Sequence, residues 1–166
     1  MTAWRRGVAP MALAMTFLAA ASGTLAGCHE ARSVSPDRIS AVSINGHTWK
    51  VELALTAEQQ YRGLSGRHSL APDAGMLFVF PEPIVADFCM RDCHIPLDVA
   101  FIDGASRVVR TCTMQVEGDR VGRIAYSSGK PVKYVLETAA GSLGQAGVKP
   151  GDVVMLLTEA PEKRRP

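Results

Sequence analysis

Met76-Leu77-Phe78-Val79-Phe80 is continuously apolar and runs straight into Pro81. A run this short, stopped by a proline, reads as a β-strand covered on both faces, and such a strand belongs at the centre of a sheet. The flanking sequence supplies its neighbours. Upstream, Ala41-Val42-Ser43-Ile44 enters Asn45-Gly46, the strongest short hairpin signal, and leaves through Trp49, Val51, Leu53 and Leu55, which alternate with Thr48, Lys50, Glu52 and Ala54. Downstream, Leu97 to Ile102 and Arg107 to Thr113 flank the turn signal Asp103-Gly104, and Arg120 to Tyr126, Val132 to Glu137 and Asp152 to Leu157 read as further strands. Thr56 followed by Gln59 matches a capping box, which opens a short helix that stops near Gly63 or Gly66. Leu143 to Val148 reads as a helical turn before Pro150-Gly151. The pattern predicts a mainly β (α+β) fold: one compact antiparallel β-sandwich or barrel-like domain with a single short helix near residues 57–65.

The N-terminus carries a different signal. Arg5 and Arg6 precede an uncharged, largely apolar run from Val8 to Leu25, and Leu25-Ala26-Gly27-Cys28 closes it with small residues and a cysteine. That is the layout of an export signal, and its last four residues resemble the lipobox of bacterial lipoproteins, in which the thiol is acylated and becomes the first mature residue. The plainer alternatives are an ordinary signal peptide or a retained anchor, which Pro10, Gly7, Ser22, Gly23 and Gly27 weaken as a membrane helix. The predicted organisation is therefore a signal peptide over residues 1–27, a tether over 28–38, a β-rich domain over 39–158 and a charged tail over 159–166. His29 follows the cysteine where an Asp commonly retains a lipoprotein at the inner membrane, so the expected location is the outer membrane, facing the periplasm.

Arg5 and Arg6 account for the whole formal charge of +2, so the mature chain is formally neutral. With no long basic run and few aromatics, nucleic acid is not an expected partner.

Tyr61-Arg62-Gly63-Leu64, Arg67, Leu70, Asp73-Ala74-Gly75-Met76-Leu77-Phe78-Val79-Phe80, Met90 and Ile95-Pro96-Leu97-Asp98-Val99-Ala100-Phe101-Ile102-Asp103 occur in an order that resembles the domain-of-unknown-function 192 (DUF192) family. Tyr134-Val135-Leu136-Glu137, Gly141 and Gly147-Val148-Lys149-Pro150-Gly151-Asp152 extend the match, so that it covers roughly residues 48–158. The resemblance implies a compact β-rich domain, often exported or membrane-attached, with no established biochemical activity. Two stretches depart from the family pattern. Ser65-Gly66 stand where a Met and a bulky residue are common, and Phe88-Cys89-Met90-Arg91-Asp92-Cys93 stands for the common Phe-Trp-Met-Lys-Asn-Thr.

That second departure adds two thiols. With Cys28 acylated, Cys89, Cys93 and Cys112 remain, and thiols outside the cytoplasm tend to pair. Extended residues four apart lie ~13 Å from each other, beyond the ~7 Å that a disulfide spans, so Cys89 and Cys93 pair only if the chain turns between them. A tight turn at Asp103-Gly104-Ala105-Ser106 sets Leu97 opposite Cys112, which favours Cys93 with Cys112. The alternative is a copper or zinc site built from Cys89, Cys93, His94 and Cys112, whose soft sulfur and imidazole donors suit those metals. Asp98 lies inside an apolar strand, and a buried carboxylate has to be paired, hydrogen-bonded or functional. Arg62 and Arg67 are its expected partners. A catalytic version puts Asp98 beside Arg67 and His68, with Asp87 or Glu137 as a second carboxylate.

Gly129-Lys130 lacks the rest of a phosphate loop, and Ser65-Gly66 lacks that of a nucleophile elbow. The functional expectation is a binding module rather than an enzyme, held at the membrane by its N-terminal lipid, without a cofactor. Arg62, Arg67, Met90 and Asp98, with the Cys89 to Cys93 segment, would contact a small ligand or another envelope protein. A copper- or zinc-handling protein is the second expectation, and a hydrolase using Asp98 and His68 the third.

Overall fold

In the computed structural model the described residues are 35–158. The signal segment, Cys28, most of the tether and the tail lie outside them. The chain enters the sheet through β1 (Ala41–Ile44), turns at Asn45 and Gly46, both at positive φ (52° and 79°), and returns antiparallel as β2 (His47–Ala54). Positive φ at both central residues is what a two-residue hairpin requires, which is why Asn-Gly stands there. The capping box then forms as read. The Thr56 hydroxyl accepts from Gln59 N–H at 3.2 Å and the Gln59 side chain accepts from Thr56 N–H at 3.0 Å, opening α1 (Ala57–Arg62).

The segment from Leu55 to Asp73, with α1 in it, carries the chain back along the sheet, so that β3 (Ala74–Ile84) joins β2 in parallel. This corrects the antiparallel expectation. Parallel neighbours need a crossover connection rather than a tight turn, and residues 55–73 provide one. β3 also runs past Pro81 and Pro83. Its exposed end tolerates the missing N–H groups, and its register against β8 (Val132–Ala139) shifts between Val79 and Ile84.

β4 (Asp87–Phe88) pairs with β7 (Tyr126–Ser127) in a small ribbon, while β5 (Leu97–Ile102), β6 (Val108–Met114) and, after α2 (Ser142–Gln145), β9 (Val154–Leu157) complete the large sheet. Its order is β6-β5-β8-β3-β2-β1-β9, with β3 in the middle. Residues 120–125, expected as strand, are irregular. Arg120 and Gly122 take positive φ, and the Glu117 carboxylate accepts from the backbone N–H groups of Gly122, Arg123 and Ile124, which are then not free for a ladder.

The sheet curls until its two edges meet at one corner. Val108 N–H donates to Asp152 O at 3.0 Å, and Gly151 and Val154 N–H donate to Val108 O and Ser106 O at 2.8 Å each. The concave face holds Val42, Ile44, Trp49, Leu77, Ala100 and Leu136, packed against Leu143 and Val148 around α2. Trp49 is fully buried and its indole N–H donates to Ser142 Oγ at 2.7 Å. The convex face holds Phe78, Phe80, Val99, Phe101 and Val135 and is covered by Leu64, Ala86, Met90 and Cys93 from the connecting segments.

Candidate functional site

Side-chain alternation on β8 decides which carboxylate faces what. Glu137 is the Cα partner of Met76 on β3 and of Val99 on β5, so it projects into the convex layer. There it lines a cavity of about 300 Å³ whose walls are the end of α1 and the turn after it (Gln60 to Ser65), Phe78 and Phe80, and the overlying segment from Ile84 to Cys93. Glu137 is 4% exposed. No hydrogen bond or ion pair reaches its carboxyl from the described residues, and burial alone pushes it up to about 8. Gly63 roofs it: at φ 50° a Cβ would come 3.4 Å from the Phe78 ring and 3.9 Å from Glu137 Oε2. A glycine suits both that backbone conformation and the space above the acid.

The mouth is held by contacts between α1 and the overlying segment. Ser65 Oγ donates to Arg91 O at 2.9 Å, and Gly66 N–H donates to Asp92 O at 2.8 Å. Arg91 donates to the Tyr61 carbonyl and stacks 3.6 Å over the Tyr61 ring. Phe88 seals the floor edge-on against Phe78 and Phe101, with centroids 4.9 and 5.8 Å apart. Ile84 and Val85 leave an apolar lip in solvent.

Of the candidate site residues singled out from sequence, Arg62, Asp87, Cys89, Cys93 and Glu137 line this cavity. Met90 does not: it is fully buried in the core. Arg62 pairs with Glu58 at 3.0 Å and Arg67 with Glu52 at 2.5 Å, so neither partners Asp98. Asp98, opposite Thr138 and Thr113, projects into the concave face, where it accepts from Thr113 Oγ1 at 2.7 Å and from Leu143 N–H at 3.0 Å at the start of α2. That placement separates it from Glu137, from Arg67 and from His68. The last stacks on His94 instead, with centroids 4.0 Å apart, and His94 Nδ1 lies 2.7 Å from Arg120.

Cys89, Cys93 and Cys112 are free thiols, so the Cys93 to Cys112 bridge is not formed. The hairpin explains the misplacement. Its loop is a residue longer than the tight turn, and a shift between Phe101 and Ile102 adds another, so Leu97 faces Met114 and Cys112 faces Val99. Among the described residues no three His, Cys, Asp or Glu side chains gather as a metal ligand set, so the structure does not bring Cys89, Cys93, His94 and Cys112 together. Burial first, then the nearby Glu137 and Cys89, raise the Cys93 thiol to about 11.

Residues 40–156 match the model of DUF192, a family described as an uncharacterised ACR. The chain belongs to the DUF192 family. A DUF192 chain with this sheet has solved counterparts. The crystal structure of a protein of unknown function from Novosphingobium aromaticivorans is 32% identical with a TM-score of 0.63, over 70% of this chain and 84% of that one. A Sinorhizobium meliloti protein named provisionally as a transcription regulator is also 32% identical with a TM-score of 0.63, over 72% of this chain and 94% of its own. A search of the curated proteins returned no match. In this DUF192 chain the Ser65-Gly66 turn and the Cys89 to Cys93 segment meet in space: Ser65, Cys89 and Cys93 all line the cavity.

Proposed function

We propose that this protein is a lipid-anchored component of the cell envelope that binds a small, mainly apolar molecule in the cavity over Glu137. The observation that carries the binding role is an unpartnered, buried carboxyl at the floor of a 300 Å³ cavity whose walls are otherwise largely apolar. Burying such a group without a hydrogen bond costs free energy that a purely structural role does not recover, whereas a ligand that supplies the missing partner does recover it. A concave, mostly apolar pocket with one convergent polar group is the usual form of a small-molecule site. The anchoring rests on the lipobox at Leu25 to Cys28, and the acyl chains would tether the domain while its tether residues hold it off the lipid surface.

Two measurements test the two halves. Wild type should sediment with membranes and Cys28→Ser should not; unchanged sedimentation overturns the anchoring. In a fragment screen by thermal shift and native mass spectrometry, compounds should bind the intact chain, and capping Cys89 at the cavity wall with a bulky maleimide should abolish it. No binder at all, or binders indifferent to the cap, overturns the pocket.

A further inference from the structure

The chemistry of the ligand's polar end can be read from what surrounds Glu137. A carboxyl offers several acceptor lone pairs, and here no protein donor occupies them. The two cations of the mouth are already engaged: Arg62 by Glu58 at 3.0 Å, Arg91 by the Tyr61 carbonyl and ring. Deeper in, Phe78, Phe80 and Phe88 surround the space with ring edges and faces. An anionic head such as a carboxylate or phosphate finds no free cation at the floor, only the single O–H of neutral Glu137. A donor-rich cation finds a carboxylate to pair with and aromatic rings to lie against. Resting on the binding role proposed above, we infer that the cavity takes an amine, with an apolar body against the phenylalanines and a terminal ammonium on Glu137.

Pairing balances in protons. Below about 8 the empty site holds Glu137 neutral while an alkylamine is already charged, so forming the ion pair releases one proton from Glu137 to solvent. Of the other groups around the cavity, Arg62 and Arg91 lie at the mouth, Asp87 and Cys89 are exposed at the lip, and the buried Cys93 thiol, raised to about 11, stays protonated. Met76, Phe78 and Val99, on the strands beneath, do not titrate.

The test uses the intact chain and three matched probes: 2-phenylethylammonium, 2-phenylethanol and 3-phenylpropionate. Calorimetry at pH 6.5, in two buffers of different ionisation enthalpy, should show the amine bound at least tenfold more tightly than the alcohol. It should also show about one proton released per amine bound and none for the alcohol. Glu137→Gln, checked for an unchanged fold by circular dichroism, should reduce the amine to the affinity of the alcohol. Equal binding of amine and alcohol, no proton release, or tightest binding of 3-phenylpropionate overturns the amine while leaving the pocket in place. Failure of all three probes overturns the binding role itself. Proton release by wild type decides the matter even if Glu137→Gln does not fold.

Discussion

One position of register separates Glu137 from Thr138, and it sends the first under Gly63 and the second toward Asp98 on the opposite face. Sequence alone makes both carboxylates eligible for the same rim, because alternation places residues on faces only once the pairing partners are known. The cysteines show the same limit. Cys89 and Cys93 read as a pair of thiols four apart, but their inequality is tertiary: one is exposed at the mouth, the other buried and raised to about 11. Because the thiolate is the nucleophile, iodoacetamide at pH 8 should alkylate Cys89 first and Cys93 at least tenfold more slowly, as followed by peptide mass spectrometry. Comparable rates would mean that the segment over the cavity opens readily. Arg62, Cys89 and Cys93 were legible as site residues because they are polar or reactive types in unusual places. The phenylalanines were not, since an apolar wall looks like core.

At the scale of elements, the parts set by local chemistry were readable and those set by distant partners were not. The Asn45-Gly46 hairpin, the capped helix α1 and the central place of β3 follow from turn residues, a side-chain cap and an uninterrupted apolar run. The parallel pairing of β2 with β3 has no local marker, and neither has the Glu117 side chain that takes residues 122–124 out of any ladder. β8 leaves no room for a side chain at Gly75 on β3, where a Cβ would lie 2.5 Å from the Glu137 carbonyl oxygen. Gly75→Ala should therefore force these central strands apart and destabilise the domain by about 2 kcal/mol or more in urea denaturation. A change below about half a kcal/mol would show that the strands separate freely there.

For the whole molecule, the raised acid makes stability depend on pH. In the unfolded chain Glu137 titrates near the ordinary glutamate value, about 4.3. In the folded protein it holds its proton up to about 8. Its favourable contribution is complete below the unfolded value, falls as pH rises through the interval, and is gone above the folded one. Thermal melts should thus lose stability from about pH 5 to pH 8, and Glu137→Gln should flatten this part of the curve; parallel curves for the two proteins would show that Glu137 is ionised throughout. The sheet has a further consequence. Its first and last strands are neighbours, with Ala41 opposite Leu157 and Ser40 N–H donating to Leu157 O at 2.8 Å. Start and finish of the domain thus leave from one spot, so a short linker could fuse them and a new break could be made at the Asp103 to Arg107 loop. Such a circular permutant, or the domain spliced as a cassette into a host protein, would keep every strand neighbour it has now.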